Sequence, residues 1–195
     1  MASIGVLAYQ GSVAEHMKML SRIEGVSPRE IRFPEDIGAV SGVILPGGES
    51  TTMGKLIKDY GLIDALKERI TKSMPVWGTC AGMILLAKEI TGEDITYLNV
   101  MDIAVRRNAY GGQLDSFTAD CNIPEVSSHK IPLVFIRAPW VEKTWGNVKI
   151  LARIDGRIIA VQQGNILATS FHPELTEDMS FHNYFAGMVK QADMQ

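Results

Sequence analysis

The chain has 195 residues, 46% of them hydrophobic and 21% charged, with a net charge of −3. That length suits one domain with a sizeable core. The charge balance gives no support to a nucleic-acid role, which shows a basic surplus, and no apolar run approaches the roughly 18 residues that span a bilayer.

The N-terminus, "MASIGVLAYQ", shows no basic leader and runs straight into a strand-like stretch over 4–9. Residues 12–23 place Val13, Met17 and Leu20 on one helical face, with Ser12 as the expected N-cap. "EIRF" (30–33) and "GVILP" (42–46) read as strands. Helices are expected from "STTMGKLIKDY" after Gly47-Gly48, and from 62–72 after Gly61. The strand "PVWGT" and the helix "AGMILLAKEI" follow. This β-α-β-α order predicts an α/β fold, an open and mostly parallel sheet with helices on both faces. The second half changes character. "DIAVRRN", "SFTADC", "LVFIRA", "VKILARI", "RIIAVQQ" and "NILATSF" read as short strands, an antiparallel extension, before a terminal helix, "MSFHNYFAGMVKQ". Asp155-Gly156 between apolar runs is a hairpin signal. No repeat, low-complexity tract or linker divides residues 1–195, so a single domain is expected.

In an open parallel sheet, ligands sit beyond the carboxyl ends of the strands. Cys80 falls at such an end, between Gly78 and Gly82, where a strand turns sharply into a helix. The turn pushes its side chain out of the sheet. A helix N-terminus favours anions and supplies backbone N–H groups for an oxyanion. From these residues alone Cys80 is either a nucleophile or a small buried hydrophobe. The second cysteine, Cys121, is distant in sequence, with neither a CxxC pair nor a disulfide framework. A reducing, cytoplasmic setting is expected.

A nucleophilic thiol needs a base, and the base an orienter. Of the histidines, His16 lies in the first helix, His129 in a polar loop and His182 in the last helix. His172 differs: it stands in "FHPEL", where Pro173 fixes the backbone and Glu174 follows two residues on. In an extended segment both side chains point the same way. With Cys80 they make a candidate Cys-His-Glu triad. "LPGGEST" (45–51) lacks the Gly-Lys-Ser/Thr ending of a phosphate loop, so an acyl-oxygen or substrate role suits it better. No ligand cluster for a metal is visible.

"GTCAG" with "FHPEL" resembles the class I, triad-type glutamine amidotransferases. "LAYQGSVAEH" (7–16), "LPGGESTTM" (45–53), "RNAYGGQLDSF" (107–117), "FIRAP" (135–139) and "TSFHPEL" (169–175) resemble, more narrowly, the glutaminase subunits of pyridoxal 5'-phosphate synthase. The similarity runs from the first strand to the last helix. It implies a glutaminase in which Cys80 is the nucleophile, His172 the base and Glu174 the orienter. It implies an oxyanion hole from the Ala81 N–H and one in the Gly47-Gly48 turn. It implies a glutamine site of Gly47, Gly48, Glu49, Arg106, Ile136 and Arg137. The implied partner is a separate, barrel-shaped synthase subunit that receives the ammonia, with Gln10 placed to sense its docking. Pyridoxal 5'-phosphate is then the product of the complex and no cofactor of this chain. Relatives often carry arginine where this sequence has Gly112. Other biosynthetic amidotransferases and the DJ-1/PfpI-like hydrolases are the alternatives; the latter place histidine directly after the cysteine, where this chain has Ala81.

Overall fold

The computed structural model describes residues 1–107 and 116–194. Tyr110, Gly112 and most of "RNAYGGQLDSF" lie outside the described residues. The chain opens with β1 (Ala2–Leu7), α1 (Val13–Ser21) and β2 (Val26–Ile31). A short helix α2 (Pro34–Gly38) precedes β3 (Gly42–Leu45), and α3 (Ser50–Asp59) and α4 (Leu62–Thr71) follow. Then come β4 (Val76–Thr79), α5 (Ala81–Leu86), β5 (Ala87–Ile90) and β6 (Met101–Arg106). The next strands are β7 (Ser116–Asn122), β8 (Lys130–Ile136), β9 (Trp140–Thr144) and β10 (Lys149–Ile154). After β11 (Arg157–Gln163) and β12 (Ile166–Thr169), a 3-10 turn (Pro173–Leu175) and α6 (Ser180–Ala192) close the chain.

Among the described residues, ten strands form one sheet in the order β2-β1-β3-β4-β12-β11-β9-β6-β5, with β10 beside β11. From β2 to β12 the neighbours are parallel. β11 is antiparallel to β12, β10 and β9, and β7 and β8 form a separate antiparallel pair. The expected α/β architecture and its antiparallel extension are both present.

Period-2 alternation sorts the core. Val43 and Leu45 of β3 face one hydrophobic cluster with Val76, beneath α3, α4 and α5. Ile44 and Trp77 face the other, with Leu20 of α1 and Phe181 and Phe185 of α6. Successive side chains of a strand point to opposite faces, so each central strand feeds both clusters. Asp155 and Gly156 both take positive φ, 49° and 78°, as a two-residue turn of the I′ kind requires.

The expected helix over 81–90 is corrected. α5 ends at Leu86, and Ala87 turns extended at φ −62°, ψ 143°. The N–H groups of Leu98 and Val100 take the carbonyls of Leu85 and Leu86, at 2.9 and 3.0 Å. Ala87–Ile90 then pairs parallel with β6 at the sheet edge. Ala, Lys and Glu favour helix, but edge pairing and burial of Ile90 override that preference. α5 itself sits tightly on the sheet: a Cβ on Gly82 would lie 2.0 Å from the Leu45 carbonyl oxygen. Gly82→Ala is therefore expected to cost about 3 kcal/mol and to lower the melting temperature by roughly 10 °C. Calorimetry showing an unchanged melting temperature would contradict this close approach.

Candidate active site

β4 and β12 are parallel neighbours with Thr79 opposite Thr169. Cys80 follows Thr79, and its N–H donates to the Thr169 carbonyl at 2.8 Å. His172 follows on from Thr169, its own N–H held by the Val134 carbonyl of β8 at 2.8 Å. Two adjacent strand ends thus deliver a thiol and an imidazole to one place, where open sheets carry their sites. Cys80 takes φ 48° and ψ −103°, a conformation a residue with a Cβ adopts only under constraint. Its thiol lies 3.9 Å from the Ile136 carbonyl and lines the same cleft as the His172 imidazole. His172 Nδ1 meets Glu174 Oε1 at 2.7 Å. Cys80, His172 and Glu174, expected to act together, are brought to one place: the first two line one cleft and the last two share a hydrogen bond.

Further residues join that line without having been anticipated. The Ser12 hydroxyl donates to Glu174 Oε1 at 2.5 Å. Ser12 does occupy the N-cap position of α1, but its side chain makes no cap bond, because the carboxylate takes it. His16 and His182, read as ordinary helix residues, are fully buried behind Glu174. His16 Nε2 lies 3.4 Å from Glu174 Oε2 and 3.3 Å from the Thr79 hydroxyl, and its Nδ1 lies 3.0 Å from His182 Nε2. The sequence carries a signal of burial, though not of the partner: His16 sits one position before Met17, on the flank of the apolar face of α1.

Burial opposes charge on His172, yet its hydrogen bonds to Cys80 and Glu174 outweigh it and push the imidazole up to about 10. Burial also opposes ionisation of Glu174, but His16, His172 and Ser12 hold the carboxyl down at about 2. Burial pushes His16 below its ordinary value, against the pull of Glu174. Burial, helped by neighbouring His16, pushes His182 down to about 3. Burial thus disfavours a charged His16 beside Glu174.

Stability should consequently fall on both sides of neutral pH. Unfolding frees His16 and His182 to bind protons below their ordinary value of 6.5, so stability drops as pH falls from there, for His182 down to about 3. Glu174 contributes stability above its ordinary 4.5 that is lost between there and about 2. His172 contributes below 6.5, and that contribution disappears as pH rises toward about 10. Each proton of difference is worth about 1.4 kcal/mol per pH unit. Thermal melts between pH 4 and 10 read this out, and a melting temperature that rises from pH 6 to pH 4 would contradict two buried neutral histidines.

A cleft of about 280 Å³ opens over the thiol, lined in part by Gln10, Gly48, Glu49, Ala81, Arg107 and Arg137. Ile136 and His172 also line it, and a Cβ on Gly47 would fall 2.2 Å from His172 Cε1. Of the residues expected to hold glutamine, Arg106 is the exception. Its side chain leaves β6 on the far side, where Nε donates to Glu142 at 2.6 Å. Strand alternation puts Arg107 in the cleft instead. Arg107 reaches Glu49 and Thr51 at 3.3 and 3.2 Å and Glu93 at 3.1 Å. Glu49 caps α3, accepting from Thr51 and Thr52. Burial opposes its charge, but those N–H groups and Arg107 hold it below the usual carboxylate range. A larger cavity, about 770 Å³, opens at the opposite strand ends beside Ser41, Pro75 and Asn165, away from the thiol.

A thiol at a strained elbow, with a His-x-Glu pair just beyond the end of the neighbouring parallel strand, fits the glutamine amidotransferases. The chain belongs to the SNO glutamine amidotransferase family, whose profile matches residues 6–191. It is 55% identical to the pyridoxal 5'-phosphate synthase subunit PdxT of Ruminiclostridium cellulolyticum, across 97% of this chain and 100% of that one. Against the PdxT protein of Clostridium botulinum it is 54% identical, across 95% and 96%. A crystal structure of a glutamine amidotransferase superposes with a TM-score of 0.90 at 42% identity, covering 96% of this chain and 98% of its own. A structure of PurLQS from Thermotoga maritima shares the fold at TM-score 0.65 and 16% identity, covering 99% of this chain and 97% of its own. Among the described residues, no helix is long and apolar enough to cross a membrane.

Proposed function

We propose that residues 1–195 form one glutaminase domain that hydrolyses L-glutamine and passes the ammonia to a barrel-shaped pyridoxal 5'-phosphate synthase subunit in the cytoplasm. Membership of the glutamine amidotransferase family and full-length identity to PdxT proteins support the reaction and the partner. The two free thiols fit a reducing compartment. The observation that carries the mechanism is the Cys80 thiol and the His172 imidazole on one cleft, with Glu174 bonded to the ring from behind.

The amide of glutamine is a poor electrophile. The Cys80 thiolate attacks its carbonyl carbon, and the C–N bond breaks as His172 gives its proton to the departing ammonia. Water, deprotonated by His172, then opens the thioester to glutamate. In this reading the Ala81 N–H, on the first turn of α5, and an N–H of the Gly47-Gly48 turn are the donors for the developing oxyanion. Arg107 and Arg137 are the cations for the substrate carboxylate, with Glu49 for its ammonium.

Partner dependence follows from the Gly47-Gly48 turn. The Gly47 carbonyl accepts from the Ser12 N–H at 3.1 Å, so the orientation of that peptide is tied to the loop at Gln10–Ser12. Gln10 packs over Gly48, its Oε1 buried without a partner among the described residues. A subunit docking on this loop can fix the donor, and one oxyanion donor is worth about 3 kcal/mol, roughly a hundredfold in rate. The isolated chain is expected to hydrolyse glutamine slowly and to speed up about a hundredfold with the synthase subunit, while Gln10→Ala weakens the response. A glutaminase assay with and without the subunit decides; full activity in isolation, unchanged by the partner, would indicate a stand-alone hydrolase.

A further inference from the structure

Behind the proposed triad lies a buried pair that its chemistry leaves unused. His16 and His182 have no solvent exposure, and Trp77 meets both rings edge-on, with centroids 5.7 and 5.1 Å away. Their protons can be placed by elimination. His182 Nδ1 has no partner among the described residues. A proton there would leave an N–H pointing at nothing, and buried N–H groups without an acceptor are costly. Protonated on Nε2, His182 instead donates to His16 Nδ1 at 3.0 Å. His16 must then carry its own proton on Nε2, which faces Glu174 Oε2 and the Thr79 hydroxyl. The opposite tautomers would set a lone pair against a carboxylate.

Glu174 is unevenly held. Oε1 receives Ser12 and His172, whereas Oε2 makes no hydrogen bond of ordinary geometry among the described residues. The group standing against Oε2 is His16 Nε2 at 3.4 Å. We propose that His16, locked in one tautomer by His182, is a positioning residue whose Nε2–H steadies the outer oxygen of Glu174 and keeps that carboxylate braced on His172. The inference rests on the reading of Glu174 as the orienter of His172. As His172 gathers charge during proton transfer, Glu174 is drawn toward it. A carboxylate anchored at one oxygen would swing, and one held at both keeps its line. Catalytic contacts that are long in the resting state tighten on the reaction path, as the 3.4 Å separation allows.

The test uses the chain in complex with its synthase partner. His16→Phe removes the donor and keeps a ring, His16→Gln restores an N–H, and Phe185→Leu loosens the same core without touching Glu174. The charged and titratable groups facing the pair are Glu15, Glu174, His172 and Arg22, and all remain in each variant. His16→Phe is expected to lower kcat by roughly 10- to 100-fold with KM for glutamine nearly unchanged. It should also move the acid limb of the kcat profile upward by about one pH unit, since Glu174 becomes easier to protonate. His16→Gln should recover most of both, and Phe185→Leu should show neither. Nitrogen-15 spectra of the wild-type chain at pH 6 should place the protons of His16 and His182 on Nε2. A His16→Phe profile matching wild type, equal losses in all three variants, or a His16 proton on Nδ1 would each overturn the proposal. If the wild-type complex hydrolyses no glutamine, the glutaminase reading fails. The pH dependence of Cys80 alkylation by iodoacetamide then decides His16 alone: a profile shifted in His16→Phe supports positioning, and an unchanged one refutes it.

Discussion

Cys80→Ala is expected to remove glutamine hydrolysis by a factor of at least about 10⁴, because a triad without its nucleophile retains only binding and oxyanion stabilisation. The fold should survive. The thiol packs in the cleft, while the backbone turn is fixed by the Cys80 N–H on Thr169 and by the close seat of Gly82 on Leu45. Alanine keeps the Cβ and so keeps the cost of φ 48°. Cys80→Gly removes that cost as well, and should be the more stable inactive variant by about 1–3 kcal/mol. A melting temperature for Cys80→Gly below that of Cys80→Ala would show that the elbow is not strained. Among the described residues the Cys121 thiol is hydrogen-bonded to the Asn122 carbonyl and to no histidine, and burial raises it, so Cys121→Ser should retain activity. Labelling by 6-diazo-5-oxo-norleucine, a glutamine analogue that alkylates the nucleophile, separates the two thiols. A label on Cys121 would overturn the assignment.

The parallel half of the sheet was legible because buried parallel strands announce themselves. "GVIL" and "VWGT" are short apolar runs bounded by Gly and Pro, and both form central strands. The hairpin at Asp155-Gly156 was legible for a different reason, since few residues accept the two positive φ values it needs. The rest was hidden by tertiary context. "AKEI" has the local preferences of a helix and becomes an edge strand through pairing with β6. β9 begins at Trp140, directly after the proline of "FIRAP", where a strand start is masked by the turn. α2 is five residues long, too short for an apolar period to show.

The site divides in the same way. Cys80 was readable because a strand end fixes its direction locally; His172 and Glu174 do meet, but through the 3-10 turn Pro173–Leu175 and not through the extended segment that their i, i+2 spacing suggested. Arg106 and Arg107 are adjacent and chemically equal, so only the register of β6 against β9 decides which one reaches the cleft. His16 was invisible as a partner of Glu174 because 158 positions separate Glu174 from His16, and the contact exists only through docking of α1 beside the Pro173–Leu175 turn. Ser12 looked like a helix cap because the cap and the triad compete for one hydroxyl, and the buried carboxylate, the stronger acceptor, takes it.

His172→Asn should be as severe as Cys80→Ala. Asparagine can fill part of the ring's volume and accept or donate a hydrogen bond, but it cannot carry a proton from the thiol to the leaving ammonia. Members of one catalytic unit are strongly non-additive. The double variant Cys80→Ala/His172→Asn is therefore expected to lose no more than about threefold beyond either single variant, where independent residues would multiply to roughly 10⁸ or more. Glu174→Gln should be milder by roughly 100-fold, since the carboxylate transfers no proton. Its effect should show most as a fall in the imidazolium's stability, because hydrogen bonding and charge from Glu174 help hold His172 up at about 10. The alkaline limb of the rate profile should accordingly move down in pH in Glu174→Gln. Steady-state hydrolysis across pH 6 to 10, with the partner present, measures all three variants. A His172→Asn enzyme that works at the wild-type rate would falsify the triad, and a Glu174→Gln profile with an unmoved alkaline limb would remove Glu174 from it.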